Sequence, residues 1–217
     1  METISIQALF KERVESLLEE TNKENPEILK YGYVIPDLLI QDSILFIGLN
    51  PSFNPQKDTF RKLFYNLYQR KEHPYFAKFF DISDHCNHPW SHLDLFLVRE
   101  TNQRLIKDWS KEPTFKDSLI KQFSLTRDMI YQVHPKIIVV CNTMAREWFR
   151  NKQENPLAFD LSAFDDNIGT YRIINDMNLK NVPIIFSSML TGQRALDLGS
   201  FERLRWQIKY ILSSINK

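Results

Sequence analysis

The chain has 217 residues, of which 43% are hydrophobic and 13% aromatic, which suffices for a sizeable core in one domain spanning residues 1–217. Its 28 basic and 27 acidic side chains leave a formal charge of +1, so a nucleic-acid partner would require basic residues gathered on one face. With two cysteines, Cys86 and Cys141, it cannot form a disulfide framework, a four-cysteine zinc site or a four-cysteine iron–sulfur cluster.

The first half of the chain alternates predicted helices with two predicted strands. Apolar residues at three- and four-residue steps predict an N-terminal helix over residues 4–22. A nearly continuous apolar run over residues 43–48 ends in turn residues, which is typical of a buried parallel strand. Aromatic-rich stretches over residues 57–70 and 75–80 are predicted to be helical, and residues 92–98 are the second strand candidate.

The second half contains two further predicted strands. The clearest strand of the chain is predicted over residues 136–141, and the last over residues 183–186. The remaining elements are predicted helices at residues 114–133, 142–149 and 199–213, and a hairpin excursion at residues 157–176.

Strands that alternate with helices favour a parallel sheet with helices on both faces. We therefore predict a three-layer α/β/α sandwich around a four-stranded, mainly parallel sheet. In such sheets, ligands bind beyond the carboxyl ends of the strands. This rule selects four loops, at residues 49–55, 99–102, 142–143 and 187–194, and it makes Asn142 a candidate binding residue.

The loop Gly48-Leu49-Asn50-Pro51-Ser52 is the most informative of the four. Gly48 would let the backbone turn or approach a ligand closely, and Pro51 stiffens the turn because it fixes its own φ. A stiff loop can hold the Asn50 amide, which is both donor and acceptor, against a water molecule or a base edge. The alternative is a strand-to-loop turn in which Asn50 bonds only to nearby backbone.

Two other loops carry polar candidates at the same predicted edge. These binding candidates are Arg99, Glu100, Asn102, Ser187, Ser188 and Arg194. The charges of the earlier loop could form a site or a simple ion pair. The hydroxyls and arginine of the later loop could hold an anion or a polar ring, or they could cap a helix in a solvated loop.

Aromatic residues are dense after the Asn50 loop. One of them, such as Phe53 or Phe60, could be a stacking platform for a flat ring. Most are expected in the core, because aromatic residues at helical spacing usually pack there.

The segment Asp84-His85-Cys86-Asn87-His88, together with His92, is dense in residue types that bind metals. Its spacing matches no standard zinc pattern, so we predict solvent-facing or capping roles and no metal. Gly-x-Ser-x-Gly, P-loop, Gly-x-Gly-x-x-Gly and His-Glu-x-x-His motifs are absent. These absences exclude the commonest nucleotide-binding and hydrolase sites of α/β sheets, and we predict no cofactor.

The segment Leu45-Phe46-Ile47-Gly48-Leu49-Asn50-Pro51-Ser52 resembles the first motif of the uracil-DNA glycosylase superfamily, in the branches that carry Gly-hydrophobe-Asn-Pro-Gly after the first strand. The order of later segments is also similar. Asp94-Leu95-Phe96 lies in a second strand, residues 135–141 precede a helix, and the last strand runs into the second-motif loop. The resemblance in order covers roughly residues 40–213.

The resemblance implies a four-stranded parallel sheet between helices, and flipping of a damaged base into a pocket at the strand ends. It implies that Asn50 aligns a water molecule on the sugar carbon as the bond to the base breaks. It also implies that an aromatic residue, Phe53 or Phe60, stacks on the base. The loop from Gly48 to Ser52 would form one wall of this pocket.

The second-motif loop would supply the contacts to the leaving base or to the phosphates. The resemblance places Ser187, Ser188 or Arg194 in that role, with Ser188 as the second catalytic candidate. The stretch Ser187-Ser188-Met189-Leu190 contains neither the His nor the Pro that the family usually carries there.

Three functions remain open from the sequence. The first is an enzyme that hydrolyses the N-glycosidic bond of a damaged or deaminated base in DNA without a metal. The second is a nucleobase- or nucleic-acid-binding module of the same fold without the chemistry, in keeping with the absent His. The third is a small-molecule hydrolase with Glu100 as general base. We expect a monomer whose partner is DNA or a nucleobase-containing ligand.

The sequence shows no membrane or export signal. No apolar run approaches the roughly 20 residues of a membrane span. The first residues lack a basic region followed by an apolar one. We therefore predict a cytoplasmic protein with no membrane partner.

Overall fold

The computed structural model describes residues 2–56, 58–70, 73–192 and 195–215. Within these residues the α-helices are α1 (Ile6–Glu24), α2 (Ala77–Cys86), α3 (Gln103–Trp109), α4 (Pro113–Val133), α5 (Thr143–Arg150) and α6 (Leu198–Ile215). The strands are β1 (Thr3–Ser5), β2 (Gly32–Pro36), β3 (Leu38–Ile40), β4 (Ile44–Gly48), β5 (Arg61–Tyr65), β6 (Trp90–Asp94), β7 (Ile137–Val140), β8 (Tyr171–Arg172) and β9 (Pro183–Phe186). Short 3₁₀ helices span Pro26–Leu29 and Leu67–Arg70.

The central sheet has five strands in the order β6-β4-β7-β9-β8. The first four strands pair in parallel, and β8 pairs antiparallel with β9. The predicted mixed α/β class is therefore confirmed. The sheet has one strand more than the predicted four, because the predicted 157–176 excursion supplies β8 at its edge. Leu161 and Ile173 form an antiparallel bridge in that excursion.

Residues of the central strands alternate between two hydrophobic clusters, one on each face of the sheet. Leu45 and Ile47 pack with side chains of α1, α4 and α5. Ile44 and Phe46 pack with side chains of α2 and α6. All four residues are fully buried, and such burial contributes at most about 1.5–3 kcal/mol per side chain. The continuous apolar run of β4 thus arises because helices cover both faces.

Four helices, α1, α4, α5 and α6, begin and end within two residues of their predicted positions, whereas α2 ends six residues later than predicted and α3 was not predicted. Helix α1 runs two residues later than predicted, because the Ser5 hydroxyl accepts a hydrogen bond from the Ala8 amide and so fixes its start. Asn142 caps α5, as predicted, through hydrogen bonds from the Met144 and Ala145 amides at 2.8 and 3.2 Å. In the described part of the chain, none of the helices combines the length and the apolarity that a bilayer crossing requires.

The predicted helix over residues 57–70 is wrong. Its centre is β5, which pairs in parallel with β2, a strand that the sequence analysis did not predict. Aromatic residues at three- and four-residue steps indicated a helix here. Pairing with a segment about 30 residues away instead determines the local conformation, because strand propensity depends on tertiary context.

The second central strand is shorter than predicted and ends at Asp94. The chain then leaves the sheet, and side chains of α4 hold it. The Leu97 amide donates to the Gln122 side chain at 3.0 Å, and the Thr126 hydroxyl donates to the Leu95 carbonyl at 3.1 Å. Asp94, rather than Val98, therefore stands at the carboxyl end of this strand.

Candidate functional site

A cavity of about 370 Å³ lies at the carboxyl ends of the parallel strands. This volume is within the range of small-molecule sites. Each of the four loops that the sheet rule selected contributes to its wall. The lining residues from those loops are Leu49, Asn50, Pro51, Ser52, Arg99, Glu100, Thr101, Asn142, Met189, Leu190 and Thr191. The topology therefore brings together segments that are up to about 140 residues apart in the chain.

A larger groove of about 600 Å³ lies on the surface among Tyr31, Trp109 and Phe115. It shares only Glu100 with the cavity. It lies beside α3 rather than at the strand ends, so its position does not match the rule for ligand sites in parallel sheets. We therefore take the smaller cavity as the candidate site.

The predicted site residues fall into three groups. Those that line the cavity are Gly48, Leu49, Asn50, Pro51, Ser52, Arg99, Glu100 and Asn142. Those that the structure places outside its wall are Phe53, Phe60, Asn102, Ser187 and Ser188. Arg194 lies outside the described residues. The Asn50 loop is therefore in the cavity wall, whereas the serines of the last loop are not.

The orientation of the Asn50 amide is fixed by main-chain carbonyls. Its Nδ2 donates to the carbonyls of Glu100, Val98 and Pro51 at 2.6, 3.4 and 3.1 Å. Carbonyl oxygens only accept, so the NH₂ group must face them and Oδ1 must point the other way. No described residue donates to Oδ1. Asn50 therefore presents an acceptor to whatever occupies the cavity.

Arg99 lines the cavity, but its donors are used by the protein. The guanidinium pairs with Asp58 at 2.8 Å and also donates to the carbonyls of Ser52 and Thr59. It lies 5.1 Å from the centre of the Phe53 ring. Arg99 is 5% exposed, so the contacts that hold it are shielded from solvent. Its role is to tie Ser52, Asp58 and Thr59 to the segment that follows β6.

The two predicted stacking residues lie elsewhere. Phe53 is buried and stacks on Tyr31, with ring centres 4.0 Å apart and planes 7° apart. Phe60 is 55% exposed and does not line the cavity. Tyr75, Phe76 and Phe79 are the aromatic residues of the cavity wall just before and within α2. They precede β6 in the chain and follow the Asn50 loop by about 25 residues.

The other polar candidates have structural contacts. Asn102 caps α3 by accepting from the Arg104 amide at 3.1 Å. The Glu100 carboxylate accepts from the Asn102 amide at 2.7 Å. Ser187 continues the sheet, because its amide donates to the Val140 carbonyl at 2.8 Å. Ser188 is exposed. Met189, Leu190 and Thr191 instead represent the last loop in the cavity wall.

Asp94 is a charged cavity residue that was not among the predicted site residues. It stands opposite Gly48 in the parallel register of β6 and β4, and its carboxyl lies over the Gly48 Cα. The side chain is 11% exposed and has no hydrogen-bond donor among the described residues. The space that was expected to let Gly48 approach a ligand is thus occupied by this carboxyl.

Burial sets the charge states around Asp94. It raises the pKa of the Asp94 carboxyl to about 7 and lowers the pKa of His92 to about 3. The two groups are 3.9 Å apart, from Oδ1 to Nε2. They do not form an ion pair, because His92 is neutral whenever Asp94 is ionised. The Tyr75 hydroxyl lies 3.4 Å from His92 Nε2, and burial raises the Tyr75 pKa well above its usual value.

We expect Gly48→Ala to displace the Asp94 carboxyl. A Cβ at this position would overlap Asp94 Oδ1 and lie 3.3 Å from His92 Nε2. The expected destabilisation is about 1–3 kcal/mol by urea unfolding, and it should shrink when Asp94 is also replaced by alanine. The matched control is Gly199→Ala in α6, where the new Cβ would lie 3.4 Å from Asp197 and should be neutral or stabilising. If Gly48→Ala destabilises the protein equally with Asp94 present and with Asp94 replaced by alanine, the expected clash between the new Cβ and Asp94 is wrong.

The segment from Asp84 to His88 has structural roles. Asp84, His85 and Cys86 end α2, and Asn87 adopts a left-handed conformation as its C-cap. The His88 ring bonds the Asp42 carbonyl at 2.8 Å. No cluster of three or more His, Cys, Asp or Glu side chains in the described ranges is arranged to bind a metal ion.

Comparison with known proteins adds no relative. The sequence matches no protein-family model and no curated protein, and the structure matches no solved structure.

Proposed function

We propose that this chain is a divergent protein of the uracil-DNA glycosylase type, a three-layer α/β/α domain that hydrolyses an N-glycosidic bond of a modified base. The observation that carries the proposal is the fixed Asn50 amide, whose Oδ1 is left as an acceptor in the cavity wall. An amide oxygen held in this way can align a water molecule by accepting one of its protons in a hydrogen bond. The residues of the Gly48–Ser52 motif that the family resemblance selects all line the same cavity.

The reaction adds water across the bond between sugar and base. The water oxygen bonds to the sugar carbon, and the pair of electrons of the carbon–nitrogen bond leaves with the base. The proton that the water loses ends on the departing base. Asn50 is not the general base in this step, because an amide does not take up a proton near neutral pH. Its role is to position the water, and no metal enters the step.

A base in duplex DNA would have to leave the stack to reach this cavity. The loops that follow β4, β6, β7 and β9 all line the cavity. Its aromatic and apolar wall, which includes Val34, Phe76 and Leu190, is suited to a flat ring. The proposed substrate is therefore a flipped or single-stranded nucleotide rather than a paired one.

The proposal is tested with oligonucleotides that each carry one modified base. We expect release of the free base from at least one of them, detected by mass spectrometry, with an abasic site left in the strand. The panel should include uracil, hypoxanthine and alkylated bases, in single strands and in duplexes. No base release from any of them at micromolar protein would remove the glycosylase function for those lesions.

For any substrate that is cleaved, Asn50→Ala should lower the single-turnover rate by about 100-fold. This is the loss expected when one oriented polar contact to the reacting groups is removed. The matched control is Asn178→Ala, because Asn178 is exposed and does not line the cavity. A rate for Asn50→Ala within threefold of the control would show that the amide does not position the water.

A second candidate function is a binding module that retains the pocket without the chemistry. One observation favours it. The last loop contributes Met189, Leu190 and Thr191 to the cavity wall. None of them is the His of the family motif, and the Thr191 hydroxyl is the one donor among these three side chains for a departing anionic base. This candidate predicts retention of modified oligonucleotides with a salt-dependent affinity and no base release. The small-molecule hydrolase with Glu100 as general base gains no support, because that carboxylate is bonded to the Asn102 amide.

A further inference from the structure

The Asp94 carboxyl has no role in the hydrolysis proposed above. It lines the cavity, is 11% exposed, and accepts no hydrogen bond from the described residues. A buried carboxyl without a partner is costly to the fold. Groups of this kind are characteristic of binding and catalytic sites, where a ligand supplies the missing contacts.

The neighbours of Asp94 do not supply a countercharge. His92 on the same strand is neutral, since burial lowers its pKa to about 3. Tyr75, before α2, and Cys141, after β7, are also neutral, because burial raises the pKa of both groups. Tyr65, at the end of β5, is another lining residue.

The other titratable lining residues lie on the remaining segments around the cavity. Arg99 is the cation among the lining residues that the structure describes, and it is bonded to Asp58 and to the carbonyls of Ser52 and Thr59. Glu100 and His73 complete the set. None of the described residues thus donates to Asp94, and a bound ligand can supply the missing donors.

We infer that Asp94 binds the edge of a flat nitrogen heterocycle in this cavity, and that this ring carries an amino group beside a ring nitrogen. Such an edge matches a carboxyl group in two places. The amino group donates to one carboxyl oxygen, and the ring nitrogen shares a proton with the other. Paired bonds of this kind are short and charge-assisted. The inference rests on the proposed function only for the idea that the ligand is a nucleobase.

A deaminated ring fits the same carboxyl less well. Its edge presents a carbonyl oxygen beside an N–H, and this oxygen is not basic enough to take a proton from the carboxyl, so the pair stays neutral and lacks the charge assistance of the amino edge. The substrate class is thus narrowed from modified bases in general to those that keep an amino group.

The test uses two small rings of the same size and compares their affinities for the full-length protein. The probes are 2-aminopyridine, which has the amino edge, and 2-pyridone, which has the carbonyl edge. At pH 7 we expect the first to bind about 10–100-fold more tightly in calorimetric or NMR titrations, as for other paired hydrogen-bond edges. Above pH 8 its affinity should fall by up to about tenfold per pH unit, because the complex must take up a proton. Equal affinities for the two rings would overturn the inference.

Two variants assign the preference to Asp94. The affinities of Asp94→Asn for the two rings should differ by less than about threefold. The affinity for 2-aminopyridine should also vary little with pH in this variant, since an amide cannot hold the shared proton. In Asp94→Ala, which removes both oxygens and does not fill the cavity, the preference should also be lost. Retention of the wild-type ratio in either folded variant overturns the assignment. Because the Asn variant is expected to be more stable than the wild type, misfolding does not obscure this result.

The binding test and the cleavage assay test the two proposals independently. Neither ring contains a glycosidic bond, so their binding does not require turnover. If the amino preference depends on Asp94 but no oligonucleotide is cleaved, the proposed function fails and this inference stands. If a base is released but the Asp94 variants keep the wild-type preference, only this inference fails.

Discussion

Asn50→Asp is expected to destabilise the protein by about 2–4 kcal/mol at pH 7, and by more than Asn50→Ala. The two side chains have nearly the same shape, but the carboxylate has no donor. It would place an oxygen against the carbonyls of Glu100 and Pro51, at the positions where Nδ2 now lies 2.6 and 3.1 Å away. Alanine leaves the same carbonyls without a donor but adds no repulsion, so it should cost less.

The measurement is urea unfolding of both variants at pH 4.5 and pH 7. The introduced carboxyl should gain stability as it becomes protonated, because its O–H can then donate to one of the carbonyls. The gap between the Asp and Ala variants should therefore narrow at pH 4.5. An Asp variant as stable as the wild type at pH 7 would mean that the amide is not held by its NH₂ group, and the argument for a water-positioning Oδ1 would lose its basis.

Asp94→Asn should have the opposite effect and stabilise the fold at alkaline pH. The pKa of Asp94 is raised from 3.8 to about 7 in the folded protein. Between these values the folded state holds a proton that the unfolded state has lost. Folding therefore becomes less favourable as the pH rises from about 4 to about 7, and the loss is complete above that. The difference between the folded and unfolded pKa values corresponds to a loss of at most about 4 kcal/mol in the free energy of unfolding. An uncharged amide would not cause this loss.

Unfolding of wild type and Asp94→Asn at pH 4.5 and pH 8 tests this directly. The free energy of unfolding of the variant should exceed that of the wild type by at most about 1 kcal/mol at pH 4.5 and by up to about 4 kcal/mol at pH 8. His92 is present in both proteins, so its own titration cancels. Asp197→Asn is the control, because bonds from Ser200 lower the pKa of Asp197 below its usual value of 3.8, so its difference from the wild type should be nearly the same at pH 4.5 and pH 8. If the stability difference between Asp94→Asn and the wild type is the same at both pH values, the Asp94 carboxyl is not desolvated.

A gain in stability at the candidate site would also be informative about function. Residues that bind ligands are often retained at a cost to the fold, and replacing them stabilises the protein while activity is lost. Asp94→Asn combines such an expected gain with an expected loss of ring preference. The two effects have one physical origin, which is a largely buried carboxyl to which no described residue donates a hydrogen bond.

The sequence predicted the central strands well where burial alone determines them. The apolar runs of β4, β7 and β9 lie between helices on both faces, so their composition reports their position. The two-strand unit of β2 and β5 was not predicted, because its aromatic residues fit helical spacing as well as strand pairing. The convergence of the four loops followed from the parallel order alone.

The candidate site was predicted only in part, because the end of β6 and its register with β4 could not be predicted from the sequence. Asn50 stood out because it follows a complete apolar run and a glycine. Asp94 was placed inside an over-long strand, since the apolar residues Leu95 to Val98 continue the pattern after the strand has ended. Its pairing with Gly48 is a contact between strands 46 residues apart in sequence. The alternation of His92 and Asp94 in an otherwise apolar strand was the signal that could have indicated a site.

The way in which Asn50 is held has a consequence for protein engineering. Its three acceptors belong to the main chain at Pro51, Val98 and Glu100. Substitutions that keep the backbone path therefore leave the anchor intact, whichever side chains are chosen at positions 98 and 100. Libraries at wall positions such as Gln103 and Met189 could diversify the ligand range around a constant acceptor. The scaffold thus separates the part of the pocket that must stay fixed from the part that selection is free to vary.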